Sequence, residues 1–116
     1  MREGPVMQFT EKQVGDAMVI SPQGRLDATT SPGFERAVLE KAASVQPHLV
    51  FDLSGIEYLS SAGLRVFALV QKKWSAAGKR VVLCAPQPQV LKVFDLAGFT
   101  GFFQFAGSVQ EGLGGE

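Results

Sequence analysis

The chain has 116 residues, which is enough for one domain built around one hydrophobic core. Hydrophobic residues make up 46% of it and charged residues 19%, a composition typical of a globular protein and not of a disordered one. The formal net charge is zero, so electrostatics give no case for binding nucleic acid or an anionic membrane.

The single cysteine, Cys84, excludes an internal disulfide and a multi-cysteine metal site. The N-terminus lacks the apolar region of a signal peptide, and no apolar run approaches the length of a membrane span. We therefore expect one cytoplasmic domain over residues 1–116, with flexible tails at 1–5 and 114–116 and no direct membrane insertion.

Hydrophobic periodicity divides the chain into alternating strands and helices. Apolar runs predict strands at 6–14, 17–20, 48–53, 80–85 and 102–105. Apolar residues at spacings of three and four predict helices at 32–46, 61–77 and 88–97, and Ser108 is predicted to cap a weak final helix. Gly24–Asp27 is predicted to form a turn or bulge, with the second strand ending near Pro22.

This order predicts an α/β domain with a mostly parallel sheet of four to five strands. The first strand is expected to lie antiparallel at one edge, with the helices packed against the sheet. Ser31 is predicted to be the N-cap of the first helix and Pro32 its first residue, while Gly78 is predicted to end the longest helix.

Ser60 and Ser61 lie where the chain leaves the sheet and enters the longest helix. In a parallel sheet the functional surface lies at the carboxyl ends of the strands, and Gly24–Asp27 is expected at the same edge. The simplest interpretation of the two serines is helix capping. A second interpretation is a regulatory phosphoacceptor, because a phosphate at a helix start is compatible with the helix dipole.

No set of residues predicts catalysis or a cofactor site. The only histidine, His48, begins a strand and is therefore expected at the opposite end of the sheet from the serines, and no glycine lies two residues before Ser61 as a nucleophile elbow requires. Asp52 near the end of a strand could be a phosphoacceptor aspartate, but the further carboxylates that would hold Mg²⁺ are missing. We interpret Asp52 as a group bonded to the local backbone, and we expect no metal and no cofactor.

Four motifs in this order resemble those of the anti-sigma-factor antagonists, the STAS domain family. They are Gly24–Asp27, Val50–Gly55, Tyr58–Arg65 and Leu96–Phe99, within a resemblance that extends from Gln8 to Leu113. The resemblance implies a STAS fold and a regulatory binding protein without an active site of its own.

In that family, a partner that is both anti-sigma factor and serine kinase phosphorylates the serine two residues before a glycine. The unphosphorylated form binds this partner and releases the sigma factor, and a serine phosphatase resets the cycle. By position the resemblance implies Ser61 as the acceptor, with Ser60 as the alternative where many members have aspartate. The partner-binding residues it implies are Asp27, Ser60, Ala62, Gly63, Leu64, Arg65 and Leu69, although both leucines also fit the core.

Two other functions are compatible with the same serine- and glycine-containing segment at the start of the longest helix. One is a STAS accessory subunit of a membrane transporter for lipids or anions. The other is a nucleotide-sensing module that would use Gly24–Asp27 and Ser60–Gly63 as a phosphate-binding nest. The sequence alone leaves both open.

Overall fold

The computed structural model describes residues 8–42 and 47–114. The tails expected at 1–5 and 114–116 lie outside the described residues, apart from Gly114. The elements are β1 (Gln8–Val14), β2 (Ala17–Leu26), α1 (Ser31–Ala42), β3 (His48–Asp52), β4 (Ile56–Leu59), α2 (Ser61–Ala76), β5 (Val81–Cys84), α3 (Pro88–Leu96), β6 (Gln104–Ala106) and α4 (Val109–Gly112).

The described strands form one sheet of six, in the order β1-β2-β3-β5-β6, with β4 paired to β2. Only β1 and β2 pair antiparallel, and the other pairs are parallel. This confirms the predicted mostly parallel sheet with an antiparallel edge strand. The additional strand is β4, whose buried Ile56 and Leu59 enclose the exposed Glu57 and Tyr58, a pattern that neither alternates nor forms a continuous apolar run.

Strand β2 changes partner part-way along its length. Ala17–Ile20 pairs with β3, whereas Gly24–Leu26 pairs with β4 across a register shift between Gly24 and Arg25. The predicted end of this strand near Pro22 is therefore wrong, because the second partner extends β2 to Leu26. The predicted bulge is present, and Gly24 has a φ of +100° that favours glycine.

The main core lies between one face of the sheet and helices α1, α2 and α3, and phenylalanine rings form its centre. Phe67 of α2 has its ring centroid 5.2 Å from Phe51, 6.0 Å from Phe34 and 6.2 Å from Phe94. All four side chains are fully buried. Burial of such a ring contributes about 1.5–3 kcal/mol, and edge-to-face pairs add about 0.5–1.5 kcal/mol each.

The short helix α4 packs on the opposite face of the sheet, against β3, β5 and β6. Gly112 lies so close to the strands that an added Cβ would collide with the sulfur of Cys84 and approach Val50 Cγ1 to 3.2 Å. Burial, followed by the charges of Asp52 and Glu111, raises the pKa of the Cys84 thiol to about 11. The thiol is therefore protonated at neutral pH, as expected for an unreactive buried cysteine.

The helix ends agree with the sequence patterns at three of four positions considered. Ser60 caps α2, Ser108 caps α4, and Gly78 follows the end of α2 with a φ of +77°. The predicted cap at Ser31 is wrong by one residue, because Ser31 is already helical and the carbonyl of Thr30 accepts the first helical bond from Phe34 N at 3.1 Å. None of the helices in the described ranges is long and apolar enough to cross a membrane.

Candidate functional site

The carboxyl ends of β2 and β4 bring the two predicted site segments together. Leu26 pairs with Leu59, and the Ser60 amide donates to the Leu26 carbonyl at 3.0 Å. Asp27 and Ser60, the residues that follow these strands, therefore lie beside each other. We call this edge of the sheet, comprising Gly24–Asp27 and Ser60–Arg65, the rim.

Ser60 and Ser61 have different environments despite being adjacent. Ser60 is partly buried, and its hydroxyl accepts a bond from Gly63 N at 3.4 Å as the N-cap of α2. Ser61 is the first residue of the helix and is exposed. Within the part of the chain that the structure describes, no group forms a hydrogen bond with the Ser61 hydroxyl. The Ser61 hydroxyl is thus accessible to a second protein, whereas the Ser60 hydroxyl is already engaged in the bond that caps α2.

Replacing Ser60 with alanine is expected to lower the free energy of unfolding by about 0.5–1 kcal/mol, the lower part of the range for an N-cap. The effect should be small because the capping bond is long, at 3.4 Å. Ser61→Ala should stay within about 0.5 kcal/mol of wild type, because an exposed hydroxyl without partners is lost. Urea unfolding of both variants measures this, and a larger loss for Ser61→Ala would contradict the assignment.

Gly63 allows the first turn of α2 to lie directly against the two strand ends. An added Cβ would lie 2.7 Å from Leu59 Cδ1 and 2.9 Å from both Cγ and the carbonyl oxygen of Leu26. Real Cβ atoms do not approach other atoms so closely, so only glycine fits without displacement. Gly63 therefore sets the position of Ser60 and Ser61 relative to β2.

Asp27 forms the turn between β2 and α1. One carboxylate oxygen accepts bonds from the Thr29 hydroxyl at 2.8 Å, the Thr29 amide at 3.0 Å and the Thr30 amide at 3.2 Å. These bonds, the Thr29 hydroxyl first, lower the pKa of Asp27 below its ordinary 3.8 despite an opposing effect of desolvation. The rim therefore has an ionised carboxylate beside Ser60.

The lowered pKa of Asp27 predicts a specific dependence of stability on pH. The stabilisation should be complete above the unfolded-state pKa, near the ordinary 3.8, and should be lost as the pH falls through the lower folded-state pKa. Replacing Thr29 with valine should raise the pKa of Asp27 toward 3.8, because the strongest donor is removed. Carboxyl chemical shifts followed by NMR during an acid titration measure this, and an unchanged pKa in Thr29→Val would contradict the assigned cause.

Arg25 and Tyr58 are exposed rim neighbours that the sequence did not single out as site residues. They face each other across the β2–β4 pair, and the Arg25 guanidinium lies 4.2 Å from the centre of the Tyr58 ring. Arg25 Nε is also 3.8 Å from the Asp27 carboxylate. Recognising this group requires the pairing of β4 with β2, which the sequence pattern does not reveal.

The expected partner-binding residues of α2 divide into a surface set and a buried set. Arg65 is exposed, Leu69 is 40% exposed and Ala62 is partly buried. Leu64 is only 5% exposed and packs in the core. It therefore has the core position that the sequence allowed as the alternative, and it offers little surface to a partner. The core assignment that the sequence also allowed for Leu69 is wrong, because this side chain is exposed.

Three of the backbone amides at the rim are not free to bind a phosphate. Those of Gly24, Ser60 and Gly63 already donate, respectively, to the carbonyls of Gly55 and Leu26 and to the Ser60 hydroxyl. These three amides therefore give the nucleotide-sensing interpretation no support.

The other candidate groups are engaged in hydrogen bonds that stabilise the fold. Asp52 accepts from the Ser54 amide at 3.0 Å and from its hydroxyl at 2.7 Å, as interpreted from the sequence. His48, at the other end of the sheet, accepts from Arg80 N at 3.0 Å. Within residues 8–42 and 47–114, no cluster of three or more histidine, cysteine or acidic side chains could hold a metal ion.

Comparison with known proteins agrees with the fold. The family model for the STAS domain matches residues 8–112. The chain belongs to the STAS domain family. This confirms the resemblance carried by the four motifs of the sequence.

Two relatives of this chain are named as anti-sigma-factor antagonists. One from Bordetella bronchiseptica, provisionally named anti-sigma factor antagonist BtrV, is 30% identical over 102 residues, which cover 88% of each chain. The anti-sigma-F factor antagonist RsfB of Mycobacterium tuberculosis is 38% identical over 55 residues, 47% of this STAS chain and 45% of RsfB.

Solved structures of such proteins have the same fold. An anti-sigma factor antagonist from Mycobacterium paratuberculosis superposes with a TM-score of 0.84 at 26% identity, covering 93% of this chain and 92% of that one. The unphosphorylated form of the antagonist SpoIIAA gives a TM-score of 0.70 at 20% identity, covering 92% and 96% of the two chains.

Proposed function

We propose that this protein is a cytoplasmic anti-sigma-factor antagonist in a partner-switching pathway. Its unphosphorylated form binds an anti-sigma factor that is also a serine kinase, and the sigma factor is released. Phosphorylation at Ser61 abolishes binding, and a serine phosphatase restores it. The protein acts by binding and has no catalytic activity of its own.

The accessibility of Ser61 is the single observation that carries this proposal. Its hydroxyl is exposed at the start of α2 and has no hydrogen-bond partner among the described residues, so a kinase could reach it without unfolding the helix. The Ser60 hydroxyl, by contrast, is partly buried and already accepts the bond from Gly63 N that caps α2. Membership of the STAS family supports the same position.

A phosphate on Ser61 would act on the partner more than on the domain. It adds nearly two negative charges at the positive end of the α2 dipole, where the host helix tolerates them. A protein surface that covers Ser61 would have to bury those charges, which is unfavourable unless they are paired. Binding is therefore lost while the fold is kept.

The partner surface includes the exposed part of the rim and its continuation on α2. Asp27, Ala62, Arg65 and Leu69 have surface to offer, and Ser60 lies between Asp27 and Ser61. Gly63 and Leu64 are buried and contribute indirectly, because they fix the first turn of α2 against the strands.

Affinity capture from native lysate with three baits tests the proposal: wild type, Ser61→Ala and Ser61→Asp. We expect wild type and Ser61→Ala to retain a kinase-type anti-sigma factor, and Ser61→Asp to lose or weaken it. Mass spectrometry should find phosphate on Ser61 and not on Ser60. The helix should remain intact in all three, which far-ultraviolet circular dichroism checks.

The same capture separates the alternative functions. Equal recovery of an ATPase and membrane subunits by all three baits, without phosphate on either serine, would replace the proposal with a transporter subunit. A thermal shift with GTP or ATP, unaffected by Ser61→Asp, would favour a nucleotide sensor.

A further inference from the structure

The exposed side of α2 is a basic face, defined here by Ser61, Arg65, Leu69 and Lys72. These residues recur at spacings of four, four and three, so they lie along one side of the helix, and all four are exposed. The opposite side packs in the core through Phe67, Val70 and Trp74, among others.

Helix α2 contains three basic residues, Arg65, Lys72 and Lys73, and no acidic residue. The chain as a whole has a formal net charge of zero, so its acidic residues lie on other elements. The basic face is therefore a local concentration of positive charge on an otherwise balanced protein. Charge complementarity indicates that it fits an acidic surface.

Arg65 at the centre of this face is available for a partner. Among residues 8–42 and 47–114, no group forms an ion pair or hydrogen bond with its guanidinium. Arg25, by contrast, contacts both Asp27 and Tyr58. Leu69, 40% exposed, adds apolar surface one turn further along, and arginine beside apolar surface is common at binding hot spots.

We propose that the basic face of α2 binds an acidic surface of the anti-sigma factor, and that a phosphate on Ser61 opposes this binding by pairing with Arg65. The inference rests on the proposed function and specifies how phosphorylation acts. The phosphate both adds negative charge and removes the central arginine from the binding surface. The charge of α2 then falls from three positive to about one, because the phosphate has nearly two negative charges.

The helix geometry favours this pair. Residues four apart are neighbours on a helix surface, and side chains lean toward the helix N-terminus, which directs Arg65 toward Ser61. An acidic group four residues before a basic one is the better order, and the guanidinium can bind phosphate through two donors. The ionised Asp27 on the neighbouring strand end would repel the phosphate, while Arg25 is already engaged there.

The intramolecular pair can be tested without any partner. Phosphoserine is incorporated at position 61, and the second pKa of the phosphate is measured by ³¹P NMR. With Arg65 present this pKa should be lower by about 0.3 than in Arg65→Gln, as expected for an exposed pair four residues apart. Lys92→Gln on α3 is the control, because Lys92 is an exposed lysine on a different helix and should leave the pKa unchanged. Equal values in all three proteins would overturn the pairing.

The binding surface is tested with the kinase-type anti-sigma factor recovered on the wild-type bait, expressed and purified. Charge reversal by Arg65→Glu or Lys72→Glu should weaken its binding to the unphosphorylated protein at least about tenfold, whereas Lys92→Glu should not. Wild-type affinity should also fall with added salt.

The two proposals fail in different ways. If phosphorylation at Ser61 abolishes binding but both reversals on α2 bind as wild type does, the basic face is not the surface and the proposed function stands. If the unphosphorylated wild type binds no anti-sigma factor, the proposed function and this inference both fall.

Discussion

Replacing Gly63 with alanine is expected to lower the free energy of unfolding by about 1–3 kcal/mol, the range for an overpacked site. The added Cβ would lie 2.9 Å from the Leu26 carbonyl, a backbone atom that cannot rotate away. That same carbonyl accepts the bond from Ser60 N, so relief of the collision would separate α2 from β2. Urea unfolding measures the stability, and the Ser60 amide shift reports the local displacement.

Gly33→Ala is the matched control for Gly63→Ala. Gly33 is also the third residue of its helix, but a Cβ there would meet nothing within 4 Å. Alanine should therefore stabilise the protein at this position, by about 0.4–1 kcal/mol. Equal effects of the two substitutions would show that helix propensity, and not the close approach to the strands, determines the outcome at Gly63.

Phe67→Ala is expected to destabilise the domain by about 3–5 kcal/mol, the typical cost of removing a buried phenylalanine. Phe67 is fully buried, and its ring lies within 6.2 Å of three other phenylalanine rings that come from α1, β3 and α3. The substitution leaves a cavity at the point where these elements meet. Because small domains are stable by only about 5–15 kcal/mol, a large part of the total would be lost.

Chemical denaturation with circular dichroism detection measures the effect of Phe67→Ala. Phe102→Ala serves as the control, because that ring is 45% exposed at the surface. Phe102→Ala should destabilise the domain far less than Phe67→Ala, since the Phe102 ring is partly exposed and pairs with the rings of its neighbours Phe99 and Phe103. A similar loss in both variants would contradict the central role of Phe67 in the core.

The sequence predicted the elements whose hydrophobic pattern has one clear period. Helix α2 is an example, since its buried residues Phe67, Val70 and Trp74 recur at spacings of three and four. Strand β4 was missed because its two buried residues lie three apart, with Glu57 and Tyr58 outside, and because its partner is the second half of a bulged strand. A bulge and a change of partner are tertiary features that periodicity does not contain.

The sequence located the candidate site only as far as the start of helix α2, without assigning a role to each serine. The spacing of Ser60 and Ser61 before an apolar helix predicts that one of them caps it, but not which one. The choice depends on where the chain leaves β4, and the pairing of Leu59 with Leu26 fixes that point. Burial of Leu64 and exposure of Leu69 likewise depend on how α2 is rotated over the sheet.

Two aromatic side chains provide separate optical reporters at opposite ends of the molecule. Trp74 is the only tryptophan, and its indole N–H donates to the Pro47 carbonyl at 2.7 Å, just before the first residue of β3. Tyr58 is the only tyrosine, is 42% exposed and lies beside the rim, in contact with Arg25. Tryptophan fluorescence therefore follows unfolding of the domain from a point remote from Ser61, while the near-ultraviolet signal of tyrosine responds to a protein that covers the rim. Loss of the fold and occupation of the site can thus be followed in one sample without an attached dye.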